Sequence, residues 1–349
     1  MLSHVYTKSY VQNSVELDRI IHTMLYERLL PQMRSWDTGK SIDMYSHAKE
    51  FMMDVATAYL YGFGNGTNLI GQSEEKGMLH EYEALMPGIF WLADAPSIAA
   101  IGRRLGFQLP APEVFVAHEK IAEIGLTLAE DAKKSYLRSS QDNTDSYPTV
   151  YGYFRDKLVA SKTVPENQID FALAGEMSDH LFAGHKATGI IVTYLMIELA
   201  RNPKALAKLQ EELADVTEAT SAQTIDRLPY LHALFMETMR IWPGNFGPFP
   251  RDVQAEGATL CGFEVPGGTI VSASVYALHR NSEVFPNPEQ WLPERWIDAS
   301  SEKRTEMLKW FWNFGSGPRS CIGLHLATRS KHTFSSKLYC PHAAPLPFL

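Results

Sequence analysis

Cysteine is scarce in this chain of 349 residues, which contains only Cys261, Cys321 and Cys340. The three form no C-x-x-C pair, and an odd number of cysteines gives no closed disulfide framework. A fold stapled by disulfides is therefore not expected. A reducing compartment is predicted instead, in which each thiol is free, buried or bound to a metal.

A surplus of positive charge is also missing. The chain has 32 Lys and Arg side chains against 40 Asp and Glu, which gives a net charge of -8. General affinity for nucleic acid needs an excess of Lys and Arg, because binding to phosphates displaces counterions. We therefore expect no nucleic-acid partner, and only a local basic patch stays open. The apolar share of 45% is ordinary for a globular protein with a sizeable core.

Targeting segments and long apolar runs are absent as well. The N-terminal residues contain no basic stretch followed by an apolar one, which a signal peptide would need. No run approaches the ~20 apolar residues that a membrane-spanning helix requires. The chain as written is thus expected to have neither a signal peptide nor an anchor.

Apolar residues recur at helical spacing over the first two-thirds of the chain. From Val15 to Gln32 they follow the period of an α-helix, which predicts a helix with one buried face. Pro165 stands where a helix can begin, and the proline-free stretch from there to Ala200 predicts one long central helix. Further helices are predicted over residues 42–60, 74–86, 113–137, 203–216 and 231–242, and a polar loop over residues 139–145.

Glycine and proline become frequent after Pro243. Two β segments are predicted over residues 259–265 and 269–276, and Gly267-Gly268 between them fits the turn of a hairpin. Residues 281–320 are too rich in proline and loop residues to predict a long regular element.

The end of the chain differs from what precedes it. It has no periodicity, and the run CPHAAPLP places three prolines within seven positions. We predict a single domain over residues 1–330, followed by an aberrant Pro-rich tail over residues 331–349.

The most informative motif is FGSGPRSCIG at residues 314–323. A thiolate that ligates a haem iron must be held rigidly, shielded from water and given N–H donors toward its sulfur. Gly317 and Gly323 allow the backbone to turn sharply and to approach a flat macrocycle closely. The residues after Cys321 are predicted to begin a helix, whose positive N-terminus favours the thiolate.

Two further side chains of this motif fit the same role. Arg319 can reach a haem propionate through a charge-assisted hydrogen bond, and Phe314 can pack under the sulfur. The alternative is a glycine-rich loop that happens to contain a buried cysteine. Because four spaced positions around the cysteine agree with the template F-x-x-G-x-R-x-C-x-G, we predict Cys321 as the metal ligand.

This motif resembles the ligand loop of the cytochrome P-450 family of haem-thiolate monooxygenases and matches it at every defined position. Three other segments resemble family landmarks, in the family's order. ETMR at residues 237–240 resembles the E-x-x-R of its K helix, and PERW at residues 293–296 resembles its P-E-R-F/W segment. AGHKAT at residues 183–188 resembles the A-G-x-[DE]-T-[TS] stretch of its long I helix. The resemblance is most specific in the last third of the chain.

The resemblance implies a haem b cofactor with Cys321 as its axial ligand, and a scaffold that supports the ligand loop. In the family, Glu237, Arg240 and Arg295 correspond to a buried network that fixes this loop, a structural and not a catalytic role. On spacing alone, Glu237 and Arg240 would be an exposed ion pair on one helix, which would stabilise that helix by only a few tenths of a kcal/mol. Arg251 matches a second propionate-binding arginine of the family.

The implied fold is mainly α-helical with small β-sheets, in the triangular arrangement of this family. The chain is expected to begin partway through that fold, without the anchor, the Pro-rich hinge, the N-terminal sheet and the first helices. The C-terminal hairpin that closes the substrate pocket is expected to be missing too. A shifted reading frame or a retained intron would explain the altered ending.

The long helix departs from the family pattern at its predicted catalytic positions. Ala183 and Gly184 keep a notch of small residues that leaves room for dioxygen over a haem, with simple helix packing as the alternative. Lys186 replaces the family's acid, and Ala187 replaces the threonine that relays protons. Thr188 follows one residue later, a rotation of about 100° around the helix. We therefore predict poorly coupled oxygen activation with release of peroxide.

The function that the resemblance implies is insertion of one atom of O2 into a small apolar organic substrate. Electrons would come from NADPH through a separate flavoprotein reductase, since the chain has no G-x-G-x-x-G fingerprint. The general pattern is that of fungal members at the cytosolic face of the endoplasmic reticulum membrane, many of which serve secondary metabolism. Membrane association is expected for full-length relatives only.

Two other interpretations stay open. The first is a truncated, catalytically impaired haem-binding remnant without monooxygenase activity, which Lys186 and Ala187 favour. The second is a Cys-dependent hydrolase, but no motif places a histidine base near Cys321.

Overall fold

The computed structural model describes residues 2–36, 40–71, 77–142, 149–245 and 247–340. This part of the chain is mainly α-helical with small antiparallel sheets, as the sequence predicts. Its α-helices are α1 (Lys8–Asn13), α2 (Val15–His22), α3 (Leu30–Arg34), α4 (Met44–Tyr61), α5 (Gly77–Ile89), α6 (Pro96–Arg104), α7 (Pro112–Asp142), α8 (Thr149–Ser161), α9 (Ile169–Arg201), α10 (Pro203–Glu212), α11 (Ala222–Ile225), α12 (Pro229–Ile241), α13 (Val275–Leu278), α14 (Glu294–Ile297), α15 (Ser301–Trp310) and α16 (Leu324–Tyr339).

The chain divides into two compact units, and the single domain over residues 1–330 stays a prediction. The first ends at Lys186 and the second begins at Ala187, so the division falls within α9. The long helix predicted from Pro165 to Ala200 is confirmed, because α9 is continuous and a short 3-10 turn, Glu166–Gln168, precedes it.

In the first unit, the periodic helices form as predicted. The buried face predicted between Val15 and Gln32 is present, although a π-helical segment, Thr23–Leu29, separates α2 from α3. Its six apolar side chains are all buried: Leu17, Ile20, Ile21, Met24, Leu25 and Leu29.

Asp54 attaches the glycine-rich segment after α4 to that helix. Its fully buried carboxylate accepts hydrogen bonds from Thr67 Oγ1 at 2.7 Å and from the backbone N–H groups of Leu69 and Ile70 at 2.9 and 3.2 Å. Burial raises the pKa of this carboxyl to about 6, and the hydrogen bonds limit the rise. The chain leaves α4 at Gly62, whose φ of +93° favours glycine.

Several helix boundaries differ from the prediction. Helix α7 continues to Asp142, so the polar loop predicted from residue 139 does not begin there, and its residues 143–145 lie outside the described residues. Helices α6, α8 and α15 form where the sequence predicts none. The first residues of the helix predicted from residue 74 also lie outside the described part, and α5 begins at Gly77.

The second unit contains two separate pairs of strands. Strand β1 (Pro248–Asp252) pairs with β4 (Ile270–Ser274), and β2 (Ala258–Leu260) pairs with β3 (Phe263–Val265), both antiparallel. The hairpin predicted around Gly267-Gly268 is therefore wrong. The β2–β3 turn is made by Cys261 and Gly262, whose φ values of +52° and +84° are those of a two-residue hairpin turn.

Helix α16 passes through the boundary predicted at residue 330 and continues to Tyr339. The predicted tail therefore begins in a helix, and its residues 341–349 lie outside the described part of the chain. Beyond Thr328 this helix buries Arg329, Lys331, His332 and Lys337. His332 pairs with Asp226 at 3.0 Å, and Lys337 donates to the carbonyl of Thr217. The aberrant tail stays a prediction.

Lys331 is expected to destabilise the protein in a pH-dependent way. It is 2% exposed, and its Nζ lies 3.1 Å from Met239 Sδ and 4.8 Å from the ring centroid of Phe235. Burial lowers its pKa from 10.5 to about 7. Because the unfolded chain then binds more protons than the folded one between pH 7 and 10.5, stability should rise with pH across that window.

Replacing Lys331 by Met should raise the free energy of unfolding by about 2–4 kcal/mol at pH 7 and remove this pH dependence. Urea unfolding at pH 7 and pH 10 measures both effects. Lys309→Met is the matched control, because Lys309 lies on α15 in an exposed pair with Glu306 and should change stability by less than about 1 kcal/mol. Equal effects of the two substitutions would contradict the prediction.

Among the described residues, no single helix is long and apolar enough to cross a membrane. One pair of helices, Gly77–Leu92 and Pro96–Arg104, meets the same criteria of length and composition when taken together, with a bend of 91° between them.

Candidate haem site

The loop that carries Cys321 connects α15 to α16 and is closed by its own backbone. The N–H of Cys321 donates to the carbonyl of Phe314 at 2.8 Å, and the N–H of Ser320 donates to the carbonyl of Gly317 at 3.0 Å. A further bond, from Gly315 N to Trp312 O at 2.9 Å, turns the chain into the loop. These three bonds join backbone groups only, so they do not depend on the side chains of the loop.

The glycines of this loop differ in what they contribute. Gly317 has a φ of +68°, as its predicted sharp turn requires, and Gly315, which was not singled out in the sequence, has +67°. Gly323 lies in a turn as predicted, but its φ of -79° is one that any residue adopts, so the turn itself does not require glycine. A Cβ at Gly323 would lie 3.8 Å from the sulfur of Cys321, so small size beside the sulfur is what this position supplies.

The sulfur of Cys321 sits at the N-terminus of α16, and the cysteine is exposed. Partial desolvation by the surrounding loop raises the pKa of its thiol. Hydrogen bonds from the backbone of Gly323 and Leu324 oppose this rise. An accessible sulfur that receives two N–H donors is the arrangement a thiolate ligand of haem needs. The residues present therefore fit that cofactor.

Two arginines are free to bind carboxylates. Arg319 is exposed and has no hydrogen-bond partner in the described part of the chain. Arg251 on β1 is exposed too, and its Nη1 donates to the carbonyl of the adjacent Pro250 at 2.7 Å. Phe314 is half-buried, and its ring centroid lies 5.5 Å from Lys331 Nζ. The roles predicted for these three residues stay predictions.

Glu237 is the centre of a buried network, not a member of an exposed pair. Its Oε1 accepts from Arg240 Nη2 at 2.8 Å, and its Oε2 accepts from Arg240 Nε at 2.9 Å. Arg295 Nε donates to Oε1 at 3.0 Å. Trp296 Nε1 and the N–H of Leu292 add two more hydrogen bonds, each 2.9 Å long. The carboxylate therefore receives five donors, and both Glu237 and Arg240 are 0% exposed.

The rest of the Arg240 guanidinium orders the irregular segment after α13. Its Nη1 donates to the carbonyls of His279 and Pro288 at 2.9 and 2.7 Å, and its Nη2 donates to Gln290 at 3.1 Å. Arg295 Nη1 donates to Pro286 at 2.9 Å. These bonds attach a segment without regular structure to α12, which suits the structural role that the resemblance implies.

Asn313, next to the ligand loop, is a contact that the sequence motifs did not reveal. Its Oδ1 accepts from the N–H of Gly244 at 3.2 Å, and its Nδ2 donates to Met239 Sδ at 3.3 Å. Because both partners belong to α12 or the turn after it, Asn313 connects the ligand loop to the same helix as Glu237.

The small-residue notch predicted in α9 consists of Ala183 and Gly184. A Cβ at Gly184 would lie 3.1 Å from the Cβ of Ala56, so Gly184 serves close packing of α9 against α4. Ala183, by contrast, is exposed. The contact of Gly184 therefore supports the helix-packing alternative at that position, and the notch over a haem stays a prediction for both residues.

Ala187 and Thr188 differ in their surroundings. Ala187 is half-buried, and a Cβ on Gly244 would lie 2.9 Å from its Cβ. Thr188 is 4% exposed, and one residue of α-helix turns it about 100° away from Ala187. Lys186 lies 5.8 Å from the ring centroid of Tyr82. The hydroxyl of Thr188 thus does not replace a hydroxyl at position 187.

Comparison with known proteins places this chain beside members of one family. The family described as cytochrome P-450 matches residues 21–338. Cytochrome P-450 monooxygenase orf2 of Aspergillus niger is 29% identical over 288 residues, which cover 82% of this chain and 55% of that protein. Cytochrome P-450 monooxygenase sdnE of Sordaria araneosa is 26% identical over 343 residues, 93% of this chain and 65% of that protein. A cytochrome P-450 monooxygenase of Aspergillus terreus is 38% identical over 164 residues, 45% of this chain and 33% of that protein.

The fold has a match among solved structures. The crystal structure of the cytochrome P-450DA haem domain superposes with a TM-score of 0.69 at 17% identity, and the match covers 96% of this chain and 68% of that one. The chain spans between 33% and 65% of the length of the three relatives above. Since the family match extends over most of the chain and reaches beyond the ligand loop, the chain belongs to the cytochrome P-450 family.

Proposed function

We propose that this protein is a haem-dependent monooxygenase that inserts one oxygen atom from O2 into a small apolar organic substrate. Haem b with an axial thiolate is the cofactor of this family. The observation that carries the proposal is the Cys321 sulfur, which is accessible and receives N–H donors from the start of α16. When bound, the haem supplies the chemistry that activates dioxygen, and the thiolate increases electron donation to its iron.

The other residues act on the cofactor or on the loop. Arg319 and Arg251 would bind the two propionates, since both residues are exposed and neither pairs with a carboxylate in the described part of the chain. Phe314 packs beside the ligand, and its carbonyl holds the N–H of Cys321. The network centred on Glu237 keeps the preceding segment in place and takes no part in the chemistry.

Two electrons per turnover come from NADPH through a separate flavoprotein reductase. The relatives named above are fungal monooxygenases, which supports a role in fungal secondary metabolism. By the same analogy, we place the full-length relatives of this chain at the cytosolic face of the endoplasmic reticulum membrane. Both assignments rest on likeness to the family.

The absorption spectrum of the reduced, carbonyl-bound protein tests the proposal. A strongly red-shifted Soret band is expected, because it reports thiolate ligation of the haem. An ordinary haem spectrum, or a protein that retains no haem, would favour the alternative of a catalytically impaired remnant.

Oxygen use is expected to be poorly coupled, and a hydroxyl at position 187 should improve it. Ala187→Ser adds one hydroxyl that can hold a water and pass protons, and it adds little bulk beside Gly244. We expect the share of NADPH that ends in hydrogen peroxide to fall at least about twofold. NADPH consumed, peroxide released and product formed are measured together with the reductase.

Thr188→Val is the matched control for this experiment. It removes the neighbouring hydroxyl, which is buried on another side of the helix, and should leave coupling unchanged. Tight coupling in the unmodified protein would contradict the prediction, as would a larger effect of Thr188→Val than of Ala187→Ser.

A further inference from the structure

His279 is a fully buried histidine that none of the recognised motifs contains. It follows α13 and is 0% exposed. Its Nδ1 lies 3.0 Å from the carbonyl oxygen of Arg240, and its Nε2 lies 2.8 Å from the backbone nitrogen of Trp312. The ring stacks on Phe311, with centroids 5.0 Å apart and planes 9° from parallel.

These contacts define the protonation of the ring. A carbonyl only accepts, so Nδ1 carries the hydrogen, and a backbone N–H only donates, so Nε2 is bare. One neutral tautomer of His279 therefore satisfies both partners. Burial lowers its pKa to about 4, which keeps the imidazole neutral near pH 7.

On the Nδ1 side, the imidazole is attached to the buried network. The carbonyl of Arg240 is in the last turn of α12, where carbonyls lack partners within the helix. The guanidinium of the same residue is bonded to Glu237 and to the carbonyl of His279 itself. This end of the imidazole is therefore held by the residue that also pairs with Glu237 in the buried network.

On the Nε2 side, the imidazole holds the start of the ligand loop. Trp312 follows the end of α15, and its carbonyl accepts the N–H of Gly315. Two residues after Trp312, the carbonyl of Phe314 accepts the N–H of Cys321. Successive backbone bonds thus lead from the His279 ring to the residue that carries the sulfur.

We infer that His279 is a positioning residue for the thiolate: it holds the Trp312 backbone at a fixed distance from α12 and so sets where the Cys321 loop begins. This inference rests on the proposed ligand role of Cys321. It assigns His279 no contact with haem, substrate or oxygen.

Two substitutions test the hydrogen bonds at Nδ1 and Nε2 of the imidazole separately. In His279→Asn, the amide NH2 takes the place of Nδ1–H and keeps the bond to Arg240, but the acceptor for Trp312 is lost. In His279→Gln, the longer side chain puts its carbonyl oxygen near the place of Nε2 and keeps that acceptor. The pair therefore distinguishes a role toward Trp312 from general packing.

The first readout needs no haem. Hydrogen exchange of the Trp312 amide should be strongly slowed in the unmodified protein, about 5- to 150-fold faster in His279→Asn, and close to the unmodified rate in His279→Gln. His180→Asn, in the first unit, replaces a hydrogen-bonded histidine and should leave this amide unchanged. An unprotected Trp312 amide in the unmodified protein overturns the inference, even if a variant fails to fold.

The second readout is the reduced, carbonyl-bound spectrum. His279→Asn should lower the thiolate-ligated share of the bound haem at least about fivefold, and His279→Gln should restore it. Equal spectra for the Asn variant and the unmodified protein would overturn the positioning role. If the unmodified protein itself lacks the red-shifted band, the proposed function fails, while the exchange experiment still decides whether His279 holds Trp312.

Discussion

Replacing Cys321 by Ser is expected to abolish the red-shifted Soret band of the reduced, carbonyl-bound protein and all oxygen insertion. A serine oxygen is not a soft, strongly donating ligand like a thiolate, so the electron donation on which the chemistry depends is lost. The loop should keep its shape, because the bond from the backbone N–H of residue 321 to Phe314 O does not involve the side chain. The spectrum and the product yield with NADPH and reductase measure the effect.

One of the other two cysteines, Cys261, provides the control for this substitution. Cys261 is exposed in the β2–β3 turn, and Cys340 is buried after α16. Cys261→Ser changes an exposed cysteine in the same chemical way and should leave the band intact. Survival of the red-shifted band in Cys321→Ser would show that the ligand assignment is wrong.

Regular repetition explains which parts of the fold could be predicted. Helix α9 and the helical stretch from Val15 carry long apolar patterns, and such patterns depend only on near neighbours in the sequence. Strand β1 contains two prolines, which argue against a strand, yet it forms because β4 pairs with it at the edge of a two-stranded sheet. Helix α15 lies in a segment rich in proline and tryptophan, and for that reason no helix was predicted there.

In the site, too, local sequence patterns were predicted and contacts between distant residues were not. The spacing around Cys321 and the E-x-x-R pair are local patterns, and the network around Glu237 forms as the resemblance implies. The packing of Gly184 could not be predicted in detail because its partner, Ala56, belongs to a distant helix. His279 was missed because its partners are 39 and 33 residues away and no local motif contains it. Contacts of this kind depend on the fold and not on spacing.

Removing the Glu237 carboxylate is expected to have the largest effect on stability. Glu237→Ala leaves Arg240 fully buried without its counter-ion and takes the acceptor from Arg295 and Trp296. Breaking a buried pair by removing one partner costs about 3–5 kcal/mol. Since whole domains are stable by only about 5–15 kcal/mol, little folded protein should remain at 37 °C.

Glu237→Gln should cost nearly as much, although it keeps the shape of the side chain. All five hydrogen bonds to the carboxylate come from N–H donors. The new NH2 of glutamine would therefore face N–H groups and find no acceptor. Urea unfolding compares it with Glu294→Gln, which removes the charge from an exposed carboxylate paired with Lys208 and should cost less than about 1 kcal/mol. A similar small cost at both positions would mean that packing, and not the carboxylate, holds α12 to the segment before the ligand loop.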